Sequence, residues 1–438
     1  MPGRTQRILC RAGFIVFCLL PTVAVGGWIV NTRVIVGAPS PLVEAQARPA
    51  AEAELSRWLG LTVTLDRVTY PQTGFTVLEG VTLVDPETGQ RIASIPVLEM
   101  AHTDHGLAMV ATRPEIDADH WSLLWESLYE RVLRERGEKI APTHLTARQV
   151  TCISKQPGRS PTLTDVQARF SSGQADFEFR IAGVEMPNVA QFKATRDRTA
   201  SPPTTRWELH TGEAELPCTL FADYIPWVTR LGDLCRFSGS VWAEETSRGW
   251  QGELTGRFTE IDLDRLVSDQ FPHKLSGFAE ATFSRIRFDE GRVREAAGWL
   301  EAGPGAVSRG FLGAALETFQ LRAAEPLFES VLPISRYARL AVGFSIDEMG
   351  LRLSGNCDPE GTMLVLENHP EAKILDHPTH VTPVVALVRM LAPASEVQVS
   401  ATQETDGLLR VLPLPPIKRP APPTARPPEA RLRFAAPR

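Results

Sequence analysis

Two histidine pairs carry the residue types that a transition metal would want. His102 and His105 flank Asp104, and His377 and His380 follow Asp376, with His369 nearby. A zinc-like site needs three or more N, O or S ligands converging on one point. Residues three apart share a face on a helix, whereas both of these stretches read as loops. Loop histidines account for them, and no metal site is assigned. Asp117, Asp119 and His120 form a compact acid–base cluster. Asp119 stands just before an apolar-periodic run, where a carboxylate can accept from the free N–H groups of a helix start, so it reads as an N-cap. Cys152, Cys218, Cys235 and Cys357 show no CxxC spacing, so neither a zinc ribbon nor a thioredoxin-like redox site is supported. An oxidising compartment would permit a Cys218–Cys235 bridge, the alternative being four unpaired and mostly buried thiols. Trp207, Trp227, Trp242, Trp250 and Trp299 fall in or beside strands, where they could line an apolar groove or fill a core. The nucleophile elbow, the P-loop, the dinucleotide fingerprint and HExxH do not occur. The sequence therefore assigns no catalytic, cofactor-binding or metal-binding residue, and the expectation is a protein that is not an enzyme.

The elements that would position these residues are mostly strands. Pro41 to Leu59 reads as a helix, interrupted early by Pro49 and ended by Gly60. The period then falls to two: Leu61, Val63 and Leu65 alternate with Thr62, Thr64 and Asp66. Further runs at Phe75–Val84 and Ile92–Met100, separated by the turn text at 85–89, predict an antiparallel meander with one apolar face. His120 to Arg136 is amphipathic, with Trp121, Leu124, Trp125, Leu128, Val132 and Leu133 on one face, and it reads as a helix capping the sheet or meeting a partner. Strand text resumes at 145–154, 162–171, 175–182, 189–195 and 207–215. Ser238–Ala243 is echoed 38 residues later by Ser276–Ala281, which suits successive units of a long sheet. Strands are expected to follow each copy, including Ile261–Leu266 and Phe311–Phe319, and then 337–345, 350–355 and 363–367. Thr382–Leu391 could be a strand or a short helix, and strands at 397–401 and 408–412 close the ordered part.

The two ends differ from this body. Residues 1–11 carry Arg4, Arg7 and Arg11, and an uncharged apolar run of 19 residues follows from Ala12 to Val30. As a helix that run covers about 28 Å, near the hydrocarbon thickness of a bilayer. The basic flank predicts a single-pass signal anchor over 12–36 with its N-terminus in the cytoplasm. Ala24-Val25-Gly26 also offers a small-residue cleavage site, which would leave the body on the same side. The 26 residues of 413–438 form a Pro-rich basic tail, read as disordered. Net charge is −6 overall, with +4 on the first 40 residues and +5 on the tail, which leaves −15 on 41–412. A body that acidic is a poor fit for nucleic acid. The chain thus divides into a flank (1–11), an anchor (12–36), a helix–meander–helix region (37–140), a longer β-rich region (141–412) and the tail (413–438).

This order resembles the AsmA-like family, the superfamily that includes TamB. The resemblance rests on Leu59, Gly60, Val63, Leu65 and Val68, then Leu78, Val81, Leu83 and Asp85, and on the stretch GELTGRFTEIDLDRLVSDQFPHKLSGFAEATFSRIRFDEGRV. It covers roughly residues 5–100 and 230–355 and is carried by apolar and turn positions. It implies a mainly β fold with a few helices: an inner-membrane helix, then an elongated, curved antiparallel sheet, half-barrel or groove-like, in the periplasm. The family brings no catalytic residues. The implied partners are the inner membrane, phospholipid and, through the Pro-rich tail, envelope proteins. The implied work is lipid binding or transport, or envelope assembly. The alternative is a β-rich scaffold with a filled interior and no lipid cargo. The chain is shorter than the bridging members of that family.

Overall fold

Alternation of apolar and polar residues over most of the body produces one continuous sheet of 22 strands in the computed structural model, which describes residues 41–134, 142–155, 160–184, 188–222, 225–323, 332–367, 373–376 and 380–391. The chain is mainly β with few helices, as expected. The proposed anchor at 12–36, the strands at 397–401 and 408–412 and the tail lie outside the described residues. No helix among the described residues is long and apolar enough to cross a membrane.

Helix α1 (Pro41–Leu59) runs through Pro49, contrary to the expected interruption. Pro49 is exposed, so the missing N–H and the displaced carbonyl face water rather than the core. Strands β1 (Thr62–Thr64) and β2 (Arg67–Gln72) both pair with β3 (Phe75–Val84). The outer edge of β1 is a row of N–H groups that would otherwise be open to pairing. Helix α1 covers it: Val63 N–H donates to Ser56 Oγ at 2.8 Å and Leu65 N–H to Glu52 Oε1 at 2.9 Å.

β3 pairs with β4 (Arg91–Thr103), which turns into β5 (Gly106–Thr112). The sequence reading missed β5, because Leu107 to Ala111 is uniformly apolar and hides the alternation in which Leu107, Met109 and Ala111 are buried. A break at Arg113 and Pro114 separates β5 from the short β6 (Glu115–Asp117), which also pairs with β4. The chain then turns through Ala118–His120 into α2 (Trp121–Leu128), continued by a wider π-helical turn over Tyr129–Arg134. It re-enters the sheet as β7 (Thr143–Ile153), parallel to both β5 and β6. A parallel step needs a crossover connection, and the predicted amphipathic helix supplies it. Leu124, Trp125, Val132 and Leu133 are buried, so this helix is a core element.

From β7 the ladder is antiparallel through β8 (Thr162–Ser171), β9 (Gln174–Ile181), β10 (Ala190–Asp197) and β11 (Thr204–His210) to β13 (Arg236–Thr246). The short β12 (Leu216–Pro217) pairs with the start of β13. Then follow β14 (Gly249–Asp262), β15 (Phe278–Asp289), β16 (Arg292–Ala302) and, after β17 (Gly305–Ser308), α3 (Arg309–Phe319) and β18 (Arg322–Ala323), the long β19 (Ile334–Asp347). β20 (Gly350–Gly355), β21 (Thr362–Leu366) and β22 (Lys373–Leu375) complete the sheet, and α4 (Val385–Leu391) closes the described part.

Two expectations for this region are corrected. Phe311–Phe319 is helix α3, not a strand. Its buried Leu312 and Phe319 are seven apart on one face, and Ser308 Oγ caps it by accepting from Phe311 N–H at 3.3 Å. The stretch from Ile261 leaves the sheet early, because 264–268 coils into a helical turn. The two copies of the echo fall on β13 and at the start of β15 in the same sheet, though their glycines differ in place: Gly239 sits inside β13 opposite Gly256, whereas Gly277 precedes β15 and lies against the Tyr337 hydroxyl. Thr382–Leu391 resolves into a bridge at Thr382 followed by α4.

Candidate functional site

Among the described residues the metal candidates do not converge. His102 pairs across from Leu107 next to the turn of the β4–β5 hairpin, where partial burial lowers its pKa. Asp104 and His105 are exposed in the turn. Asp376 is buried and structural: its carboxylate accepts from Gly355 N–H at 3.0 Å and its carbonyl from Arg322 Nε at 3.3 Å. His369 and His377 lie outside the described residues. Among the described residues no group of three or more His, Cys, Asp or Glu could hold a metal ion.

Asp119 is not the cap of α2. The residue before that helix is His120, without a side-chain capping bond. Asp119 instead accepts from the Ser154 hydroxyl at 2.5 Å and from Lys155 N–H at 3.0 Å, tying the crossover to the end of β7. The turn is held by Asp117, which accepts from Asp119 N–H at 2.9 Å and meets His120 Nδ1 at 3.0 Å. The cluster is a clamp between elements. His273, which sequence reasoning passed over, is a clamp of the same kind. It is buried and its Nε2 meets the Met390 carbonyl at 2.9 Å, fixing α4 to the turn before β15.

What the sheet does assemble is two unlike interiors. Over β1–β11 the inward side chains are almost fully buried against α1 and α2. Trp207 packs edge-on against Trp125 at 5.0 Å and stacks on Tyr129 at 5.7 Å, with Phe192 at 6.4 Å. Arg196 reaches the Tyr129 and Thr205 hydroxyls, and the Ser127 hydroxyl donates to the Leu59 carbonyl, so both helices are locked in place. This half is filled.

Over β13–β16 and β19 the register builds apolar rows across five strands. One row is Val241, Leu254, Ile286, Ala296 and Ile346, directly opposite one another in turn. The next is Gly239, Gly256, Phe283, Gly298 and Phe344, ending on Leu353 of β20. A third, Phe237, Phe258, Ala281, Leu300 and Val342, lies nearer to α3. In the lower row Phe237 and Ala281 are buried, while Phe258, Leu300 and Val342 are half-buried. In the row above it Phe283 and Phe344 are only half-buried, and in the upper one so are Val241, Leu254, Ile286 and Ile346. The aromatic rings step across the sheet, Phe237–Phe258 at 4.9 Å, Phe258–Phe283 at 5.7 Å and Phe283–Phe344 at 5.7 Å. They can do so because the facing glycines clear the way. A Cβ on Gly256 would lie 2.4 Å from the Ser238 carbonyl oxygen and 2.8 Å from the Phe237 ring.

The opposite face of these strands is polar and self-paired. Arg285 meets Glu253 at 3.3 Å and Glu295 at 3.9 Å, Arg257 meets Glu280, and Arg339 meets Glu301 at 3.8 Å. Glu280 holds the Arg257 guanidinium further above its ordinary pKa. Trp242 lies on this face beneath Arg206, 4.4 Å from its ring centre, and Trp299 stands here 41% exposed. An outward concavity of about 690 Å³ is lined by Glu215, Arg257, Glu280, Glu301 and Arg339 among others, and most of these charges are matched within it. Of the other candidate tryptophans, Trp250 falls on the inward face of this half, opposite Glu245, whereas Trp227 lies in the helical turn Pro226–Leu231, not in a strand, and is exposed. The half-buried rows, which pack on one side against the neighbouring core, thus form a contiguous apolar surface among the described residues, and what they offer is a contact for something apolar.

No family model, no curated protein and no solved structure matches this chain.

Proposed function

We propose that the chain is an AsmA-like envelope protein, not an enzyme, anchored in the inner membrane by 12–36, with its body in the periplasm, and that the inward face of β13–β19 receives the acyl chains of a phospholipid. One observation carries this reading: apolar rows that cross five strands and stay half-buried, on strands whose other face is ion-paired. Contiguous apolar surface that a chain leaves open to solvent is a recurring mark of ligand grooves and interaction sites. A sheet of 22 strands is well beyond the roughly ten that an open twisted sheet carries without curling, which favours an elongated, curved groove. The charge of −15 on 41–412 speaks against nucleic acid, and leaves the basic tail as the segment suited to acidic envelope partners.

The scaffold reading also has an observation behind it. The β1–β11 half has a filled interior, with no room for cargo beside Trp125, Trp207, Phe177 and Phe192. On the lipid reading this half is the rigid mount and the second half is the seat. Mass spectrometry of lipids carried by the full-length, detergent-extracted protein separates the two. Phospholipid enriched over an unrelated single-pass protein in the same detergent is expected. Equal recovery from both would leave the scaffold.

A further inference from the structure

The strongest unassigned chemistry lies at the junction of the two interiors. β12 and β13 pair as Leu216 with Phe237 and Pro217 with Arg236. The next pair in that antiparallel ladder is Cys218 and Cys235. The ladder continues to them, since Cys218 N–H donates to the Cys235 carbonyl at 2.8 Å. Directly opposed residues of an antiparallel pair hold their Cβ atoms roughly 4.5–5.5 Å apart, close to the separation a disulfide bridges. The two sulfurs are 3.0 Å apart, and the side chains are 1% and 0% exposed. No third His, Cys, Asp or Glu among the described residues joins them, which removes a metal site as the reason for the pairing. Cys152 is also buried and Cys357 is half-buried, and among the described residues neither is paired with another cysteine as Cys218 and Cys235 are.

We propose that Cys218 and Cys235 are joined by a disulfide in the working protein. This rests on the reading that the body lies in an oxidising compartment outside the cytoplasm. The bond closes a segment whose ends are 17 residues apart in sequence and which contains helical turns rather than a strand. Leu216 belongs to the filled interior, while Cys218 and Phe237 belong to the second. The staple therefore fixes the place where one interior hands over to the other.

The chemistry is a two-electron oxidation by thiol–disulfide exchange. One cysteine, as thiolate, attacks the disulfide of a donor oxidoreductase and forms a mixed disulfide. The second thiolate attacks that bond, the Cys218–Cys235 bond forms, and the donor leaves as a dithiol, with both cysteine protons released to solvent or to the donor's sulfurs. In the folded chain the neighbouring thiol and burial push Cys218 far above the ordinary thiol range. Exchange must then occur during folding, before the pair is enclosed, because the thiolate is the nucleophile.

Two arms on the full-length chain test this. In the first, thiols are trapped with N-ethylmaleimide at the moment of cell lysis, and the denatured, unreduced protein is digested and mass-mapped. A linked peptide pair holding Cys218 and Cys235, with Cys152 and Cys357 alkylated, is expected. In the second, reduced and denatured chain is refolded in detergent with glutathione and glutathione disulfide, and the same linked pair is expected. It should also form in a Cys152→Ser/Cys357→Ser background. Linkage in the refolding arm but free thiols from cells would overturn the proposal and take the extracytoplasmic placement with it. Free thiols in both arms would overturn the proposal and leave that placement standing.

Discussion

Tyr337 has a fully buried ring whose hydroxyl donates to the Ser276 carbonyl at 2.7 Å. It lies over Gly277 and Gly305, where any Cβ would collide with that hydroxyl. Removing the hydroxyl leaves a buried acceptor without this donor, so Tyr337→Phe is expected to cost about 1–3 kcal/mol in urea unfolding. Burial also pushes the Tyr337 pKa up from 10.0 to about 12. For a raised pKa the sign is fixed: the contribution is whole below the unfolded value and is lost as pH rises through the folded one. The stability gap between wild type and Tyr337→Phe should therefore hold below about pH 10 and narrow between about pH 10 and 12. A gap that stays constant over that window would mean the hydroxyl is not shielded from ionisation.

At the scale of elements, α3 is held by a short cap. Ser308 Oγ accepts from Phe311 N–H at 3.3 Å and from Lys274 N–H at 3.1 Å, so Ser308→Ala removes partners from two donors and should cost about 1–2 kcal/mol in thermal unfolding. Gly256→Ala should cost more, about 2–3 kcal/mol, since it joins a backbone clash to a φ of 154°. A Gly256→Ala as stable as wild type would mean that the β13–β14 pair bends elsewhere. These two positions also mark what sequence can reveal. The Asp85–Gly89 turn was readable because Asp85 carries its own logic, accepting from Thr88 N–H and hydroxyl. β3 and β8 were readable to the residue from their strand patterns, and β20 from the turn at Asp347 that precedes it. Helix α3 was misread because Gly310, Gly313, Ala314 and Ala315 dilute its apolar face until only its cap and spacing betray it. The inward rows could not be read at all. Each strand shows its own alternation, but which residue stands opposite which is set by pairing register, including the bulges between Leu254 and Gly256 and between Phe283 and Arg285.

The whole molecule is one sheet with two different fates for its apolar face, and the difference is testable by putting the same charge into each. Phe177 is 1% exposed in the filled half, between Phe170 at 5.2 Å and Phe192 at 6.1 Å. An aspartate there would lose an aromatic core side chain and bury an unpaired carboxylate, a cost above about 4 kcal/mol, and Phe177→Asp should fail to fold or melt far below wild type. Leu254 and Ile286 face each other across β14 and β15 but are only half-buried. A carboxylate at either can turn to water, so Leu254→Asp and Ile286→Asp should each cost only about 1 kcal/mol. They would nonetheless set a negative charge in the path of an acyl chain, and co-purified phospholipid should fall at least several-fold while circular dichroism and melting stay near wild type. Two results would defeat this. Unfolding as severe as that of Phe177→Asp would make these rows an ordinary core. Undiminished lipid recovery from folded Leu254→Asp and Ile286→Asp would place any lipid elsewhere on the chain.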